Sequence, residues 1–504
     1  MKKEAEFSKE NLKNYLKKID DVIENGHYKD NWNSLKNHKV PDWYQNAKFG
    51  IFIHWGVYTV PSFGSEWYSR FMYLPDALRK EKNMYRHHIE TYGAHKDFGY
   101  KDFVHMFKAE NFDPDNWTDL IIKSGAKFVM PVAEHHDGFA MYDTELSDWC
   151  ATKMGPKKDL IGMMKKSFEE KGLVFTASSH RIEHYWFMSG GREFESDMPG
   201  YDKEIPYGDL YWPSMPAEFK YNHQVEGLTV DPLFMEDWLA RTCEIVDKYR
   251  PKIMYFDWWI LIANLKPYLK KFAAYYYNRA LEWGEEVTIN YKDDAFMLGV
   301  GVRDIERGQL SEISPIFWQN DTSIAKNSWC YTEGNDYKKT HEVLQDLVDV
   351  VSKNGSLLLN IGPKADGTIS DNDRKVLEEI GAWFDINGEA IHGTSFWKKF
   401  GEGPTKTLEG HHTDSLRSGY TSEDFRFTYK DNVLYVFAMN WPEDGVVRIK
   451  MLGRTQKMYG SLIQSLEVLG APNGCSHVLC DDYLTVMAPD FKTKNPVCIK
   501  IIAD

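Results

Sequence analysis

Four apolar runs in this chain of 504 residues end in side chains that ionise or form hydrogen bonds. FGIFIHWG (49–56) ends in His54 and Trp55, and KFVMPVAEHHDG (127–138) ends in Glu134, His135, His136 and Asp137. LVFTASSH (173–180) ends in Ser179 and His180, with Glu183 and His184 just beyond, and KIMYFDWW (252–259) ends in Asp257, Trp258 and Trp259. One histidine after a strand is ordinarily a loop residue, but four ends loaded alike point to a functional cluster. Two chemistries fit it. Imidazole is a common zinc ligand, so His54, His135, His136 and Asp257 describe a metal-dependent hydrolase. Neutral imidazole also donates through one nitrogen and accepts through the other, which suits sugar hydroxyls. The metal reading is the weaker. The first run reads Ile53-His54-Trp55 rather than the His-x-His of barrel metallohydrolases. His135 and His136 on an extended strand would also point to opposite faces. Tryptophan, histidine and acids together favour carbohydrate, and Asp257 reads as a nucleophile or an ion-pair partner.

The elements that must position these residues alternate. The apolar runs are separated by helical segments around 117–124, 160–171, 235–249, 265–283 and 338–351, and further runs follow at VTINY (287–291) and SLLLNIGP (356–363). Continuous apolar strands between helices imply a parallel sheet covered on both faces. No Gly-x-Gly-x-x-Gly turn follows an early strand, which argues against a Rossmann fold. Six or more βα repeats over this length suit a (β/α)8 barrel with long insertions at 57–110 and 185–232, and its chemistry belongs at the strand ends. After residue 393 the texture changes to FRFTYK (425–430), VLYVFAMN (433–440), VVRIKML (446–452) and VCIKIIA (497–503), split by turn residues, as in an antiparallel β-sandwich. The expected organisation is α/β: a helical extension over 1–30, whose helix runs from an N-cap at Ser8 to residue 25, a barrel over 31–393 and a sandwich over 394–504. Trp397 in the last domain either packs or binds sugar.

Composition excludes other classes. A net charge of −14 opposes phosphate backbones, so nucleic acid is not an expected partner. There is no 18-residue apolar run, so no membrane span is expected. The six cysteines form no Cys-x-x-Cys pair, against a zinc ribbon or a disulfide framework. Aromatic residues make up 15% of the chain, enough for both a core and a wall that stacks on sugar faces. The first residues, MKKEAEFSKE, lack the apolar core of a signal peptide.

Several segments together resemble the glycoside hydrolase family 29 α-L-fucosidases: WYQNAKFGIFIHWGVYTVPSF (43–63), EWYSRFMY (66–73), the stretch 112–144 with EHHDGF, IMYFDWW (253–259), WQNDTSIAKNSWCY (318–331) and SKNGSLLLNIGPKADGTI (352–369). The resemblance implies a (β/α)8 barrel with a C-terminal β-sandwich, and exo-acting hydrolysis with retention of configuration. In such enzymes two carboxyls, roughly 5–5.5 Å apart, flank the bond. It further implies Asp257 as nucleophile, His54, His135 and His136 on the fucose hydroxyls, Glu66 and Trp67 reaching over the sugar, and an aromatic surface at Tyr255. No cofactor is implied. The implied partner is a fucosylated oligosaccharide or glycoconjugate. The implied location is the periplasm or the outside of the cell, after removal of a signal, with the cytoplasm as the alternative.

The chain departs from the family pattern in two places. Many relatives carry a Trp-Glu pair where this chain reads Trp318-Gln319, and an amide cannot exchange a proton at a useful pKa. Glu306, in DIERGQLSEISP (304–315), is therefore expected as the acid/base, ahead of Glu312, Asp321 and Glu333; its bland alternative is a loop ion pair with Arg303 or Arg307. Gln319 also motivates the alternative of a fucose-binding protein with impaired catalysis. The second departure is SSHRIEHYWF (178–187), where His180 takes the place of an aromatic near the nucleophile, with Glu183 and His184 behind it. It leaves open a slot that admits an L-galactoside, because an apolar pocket rejects one added hydroxyl by only about 10²-fold.

Overall fold

The computed structural model describes residues 2–75, 83–193, 210–211, 214, 229–416, 418–458 and 462–503. Eight parallel strands close into a barrel: β1 (Phe49–Ile53), β2 (Phe128–Glu134), β3 (two segments, Val174–Phe175 and Ala177–Ser179), β4 (Ile253–Phe256), β5 (Thr288–Lys292), β6 (Val302–Glu306), β7 (Trp318–Ser323) and β8 (Gly355–Ile361). Each pairs with its successor, and β1 pairs with both β2 and β8, through Ile53 opposite Pro131 and Ile53 opposite Ile361. Every residue of β1, β2 and β8 is buried, as strands covered on both faces require.

The principal helices are α1 (Lys2–Asn25), α2 (Pro114–Lys123), α3 (Leu160–Glu170), α4 (Pro232–Tyr249), α5 (Lys266–Trp283), α6 (Thr340–Ser352) and α7 (Asp371–Asn387). Asp113, Asp159 and Ser370 cap α2, α3 and α7 by accepting backbone N–H groups that a helix start leaves unpaired. α1 begins at Lys2, so Ser8 lies within it rather than capping it; residues 2–7 include no helix breaker. The helix is docked, with Ile19 and Ile23 in the barrel's outer core and Tyr15 donating to Asp247 at 2.9 Å. Much of the insertion expected over 185–232 lies outside the described residues.

Two connections depart from a strict strand–helix alternation. Residues 293–301 and 307–317, which link β5 to β6 and β6 to β7, contain no helix. Leu310 packs instead on Ile305, Trp318 and Val350 outside the barrel. β6 (VRDIE) and β7 (WQNDTS) lack an apolar run, because both carry polar side chains that the barrel interior pairs with one another. At the opposite end of the interior from the strand C-termini, Tyr44 donates to Gln319 Oε1 at 2.6 Å and receives Asn290 Nδ2 at 2.8 Å.

The C-terminal domain has two antiparallel sheets. One holds β9 (Ser395–Glu402), β10 (Phe425–Lys430), β11 (Val433–Ala438), β13 (Ile463–Val468) and β16 (Val497–Ala503); the other holds β12 (Val446–Ile449), β14 (Ser476–Leu479) and β15 (Leu484–Met487). Phe427, Val436 and Ile499 of the first sheet and Val447, Leu484 and Val486 of the second share one core. Trp397 is buried in that core against Phe427, so it packs the domain and presents no sugar-binding face.

The domains meet on α6. Asp349 is buried between Lys353, at 2.6 Å, and Arg426 of β10. Burial raises its pKa, but the two cations outweigh that and bring it to about 2. A carboxyl depressed in the fold stabilises it above the ordinary value of about 3.9, and that contribution is lost as pH falls through about 2. Asp349→Ala removes the buried carboxylate that Lys353 and Arg426 share and is expected to cost about 3–5 kcal/mol. Urea unfolding at neutral pH measures it, and a loss below ~1 kcal/mol would show that water reaches the pair.

Candidate active site

The C-terminal ends of the barrel strands open on a cavity of about 920 Å³. His54, Glu66, Trp67, His135, His136, His180, Tyr255, Asp257 and Glu306 all line it, so the fold brings together every site residue expected from sequence. Glu312 and Glu333 are exposed and do not line it.

Asp257 follows β4. His180 Nδ1 lies 3.0 Å, and His136 Nε2 3.3 Å, from its Oδ2. Burial favours the neutral acid, but His180, His136 and Lys292 hold the Asp257 carboxyl well below the usual carboxylate range. It is a carboxylate at any ordinary pH. His136 lies between two acids, with Glu183 Oε2 2.9 Å from its Nδ1. Burial lowers its pKa, but Glu183 and Asp257 raise it to about 10, so the ring is an imidazolium. Burial takes Glu183 up to about 7 against the pull of His136.

His135 and His136 do not point apart. β2 ends at Glu134, with its register against β3 shifted between Val132 and Glu134, and the pair lies in the turn beyond. Freed from strand alternation, the rings stack at 4.0 Å and 8°. Behind them Glu134 receives Arg181 and Arg241, which fixes the end of β2. His184 donates Nδ1–H to the carbonyl of His136 at 3.0 Å. His135 Nδ1 is buried with no hydrogen-bond partner among the described residues. Burial and neighbouring histidines hold His54 and His135 well below the ordinary imidazole range, so both are neutral. His54 Nδ1 is 2.7 Å from Asn360 Oδ1, which leaves Nε2 as its acceptor.

Three expected contacts take a different form. Both His180 nitrogens are engaged, Nδ1–H with Asp257 and Nε2 with Ser178 Oγ at 3.0 Å, so only its ring meets the cavity. Its part is to hold Asp257. Tyr255 donates its hydroxyl to Asp321 at 3.0 Å and is fully buried, so it packs behind the cavity and the aromatic surface expected of it is not exposed. Glu66 Oε2 receives the Trp329 N–H at 2.9 Å and Ser328 Oγ at 3.1 Å, tying the loop after β1 to the loop after β7.

Glu306 ends β6. Its carboxylate receives Trp258 Nε1 and lies 3.3 Å from Lys292 Nζ, not beside Arg303 or Arg307. Arg303 pairs with Asp293, and Arg307 donates to backbone carbonyls of 325, 326 and 328. Burial, with Asp321 and Asp257, outweighs Lys292 and raises the Glu306 carboxyl above its ordinary value. Lys292 is fully buried, 2.6 Å from Asp304 and 3.2 Å from Asp321. Sequence reasoning passed over Lys292 and Asp304: they lie in different strands, and only barrel closure sets them face to face. Gln319 is buried away from the cavity and donates to Asp304 at 2.6 Å. Its amide belongs to the barrel interior, which removes the ground for reading it as a lost catalytic group.

The arrangement thus holds one carboxyl charged and a second inclined to keep its proton, in one cavity with neutral His54 and His135 and charged His136. Ligand atoms of His54, His135 and His180, and of His136, His180 and Asp257, also lie within 4.8 Å of one another. Both sets use His180, whose nitrogens are engaged, and the second uses a charged ring, so an ion would have to displace these pairings.

The model of a sequence family described as alpha-L-fucosidase matches residues 16–389. Tissue alpha-L-fucosidase of Rattus norvegicus is 28% identical over 431 residues, 84% of this chain and 81% of its own. Plasma alpha-L-fucosidase of Homo sapiens is 28% identical over 468 residues, 88% and 84% of the two chains. The crystal structure of Thermotoga maritima alpha-fucosidase in complex with fucose superposes with a TM-score of 0.70 at 28% identity, covering 94% of this chain and all of that one.

Proposed function

The chain belongs to the alpha-L-fucosidase family, and from that premise we propose that Asp257 and Glu306 carry out retaining hydrolysis of terminal α-L-fucosyl residues. The observation that carries this is the opposed state of two carboxyls in one cavity: burial with its acidic neighbours raises Glu306, while histidines and Lys292 hold Asp257 far down. That division gives a general acid and a nucleophile at one pH. His54 Nε2 is left to accept from a sugar hydroxyl and His135 lines the same cavity as a neutral ring, while the charged ring of His136 is held between Asp257 and Glu183. The ring of Trp67, half-buried at the cavity, offers apolar surface for the C–H face and C5 methyl of fucose.

In the first step an Asp257 oxygen attacks the anomeric carbon as Glu306 gives its proton to the leaving oxygen. In the second, Glu306 takes a proton from water, which attacks the same carbon and releases Asp257. Two inversions give retention. A 2-fluoro-fucosyl fluoride is expected to label Asp257, seen by peptide mapping, and proton NMR of a fucoside digest should show α-L-fucose first. β-L-Fucose as first product, or label on another residue, overturns the reading.

Glu183 is predicted to matter through His136. Glu183→Gln removes the main cause of the raised His136 pKa. Nitrogen NMR of labelled histidine should then place that ring clearly below about 10. A hydrogen bond to a charged group contributes about 1.5–3 kcal/mol, so kcat/KM should fall about 10- to 100-fold. An unchanged His136 titration would exclude this coupling.

A further inference from the structure

The C-terminal domain reaches the active site. Between β9 and β10 the chain leaves the sandwich, and residues 409–414 run along the end of β6 as a strap. The His412 N–H donates to the Glu306 carbonyl at 2.8 Å, and the Asp414 N–H to the Arg307 carbonyl at 2.9 Å. In return the Glu306 N–H donates to His411 Nδ1 at 3.0 Å, and His411 Nε2 reaches Asp293 at 3.0 Å. The Gly410 N–H donates to the Gln309 carbonyl at 3.1 Å, and a Cβ on Gly308 would overlap the Gly410 oxygen, so the strap is seated closely. It is held at its far end by Asp414 on Lys338 at 2.7 Å.

This anchoring sets one side chain over the cavity. His412 lines it yet is exposed, and its backbone sits at φ 56°, where a non-glycine residue is strained and must be held by its surroundings. Its ring lies 6.2 Å from that of Trp258 and within 23° of parallel. Trp258 in turn donates to the Glu306 carboxylate. An acid that protonates the leaving oxygen stands on the leaving-group side of the bond. Flat rings beside that acid therefore meet whatever is attached through that oxygen, and a pyranose offers such rings an apolar C–H face.

We propose that residues 409–414 complete a leaving-group subsite shared by the two domains, in which His412 and Trp258 receive the pyranose ring to which fucose is attached. The proposal rests on Glu306 being the acid/base. His412→Ala keeps the backbone hydrogen bond that seats the strap, so folding is preserved. The full chain is assayed on a fucosyl-pyranoside disaccharide and on α-L-fucosyl fluoride, whose leaving group has no ring and needs no proton. In His412→Ala the ratio of kcat/KM for disaccharide to that for fluoride should fall about three- to tenfold, and His412→Phe, which keeps a flat ring, should restore most of it. An unchanged ratio in His412→Ala overturns the subsite, as does a His412→Phe ratio as low as that of alanine. Failure of the premise looks different: Glu306→Ala would then change kcat/KM for fluoride and for disaccharide by the same factor, instead of lowering that for the disaccharide alone.

Discussion

Asp257→Gly is expected to reduce fucoside hydrolysis by about 10⁴-fold or more, because the covalent route is lost and no second carboxylate is held ionised in its place. The variant should fold. His136 keeps its contact with Glu183, and His180 keeps Ser178, so no buried charge is orphaned. The space left by the carboxylate admits a small anion. Azide added with an activated aryl α-L-fucoside should restore turnover by attacking the anomeric carbon from the vacated side. Its product should be the β-L-fucosyl azide, inverted because only one displacement occurs. Proton NMR reads the anomer directly. An α-azide, or a variant that retains more than about 1% of turnover, would place the nucleophile elsewhere.

The second large effect belongs to Glu306. Glu306→Ala should slow hydrolysis of a fucosyl disaccharide by about 10²–10⁴-fold, the usual contribution of a positioned acid/base. An aryl fucoside with a good leaving group should form the glycosyl-enzyme readily and then stall, since no base activates water. Azide needs no base and should release the sugar as the α-L-fucosyl azide, the opposite anomer from Asp257→Gly. The pH profile supplies a further sign. Glu306 acts as an acid with its pKa raised by burial and by Asp321 and Asp257, so its proton persists above the ordinary glutamate range and activity falls as pH rises through that raised value. Asp257 is held well below its usual range, so it sets no acid limb above that depressed value. In Glu306→Ala the basic limb should vanish. A limb that persists would assign it to another group in the cavity, Glu183 first, whose carboxyl burial raises to about 7.

Much of this was legible in the chain itself. β1, β2, β4 and β8 declare themselves as apolar runs because they are buried on both faces, and the polar residues that end them fall at the barrel mouth. That position marked His54, His135, His136 and Asp257 as a cluster, and the family resemblance supplied the roles expected of them. β6 and β7 hid for the complementary reason. Their interior faces carry Asp304, Glu306, Gln319 and Asp321, and a strand filled with polar groups has no hydrophobic period to read. The stacking of His135 on His136 was likewise closed to sequence reasoning, since it depends on where the strand stops.

The sequence by itself determined which residues could ionise, donate or stack, and that the chain folds as a barrel followed by a sandwich. It did so because periodicity and strand-end chemistry are local. Tertiary structure alone decided their states. Whether Glu306 keeps its proton depends on Lys292 and Asp321, from two other strands, and on Asp257, just beyond a third. Whether His136 is charged depends on Glu183, 47 positions away. The strap that grips Glu306 starts more than 100 residues later, in another domain. Charge interactions fall off with distance through space, not along the chain, so the fold had to bring these groups together before their chemistry existed.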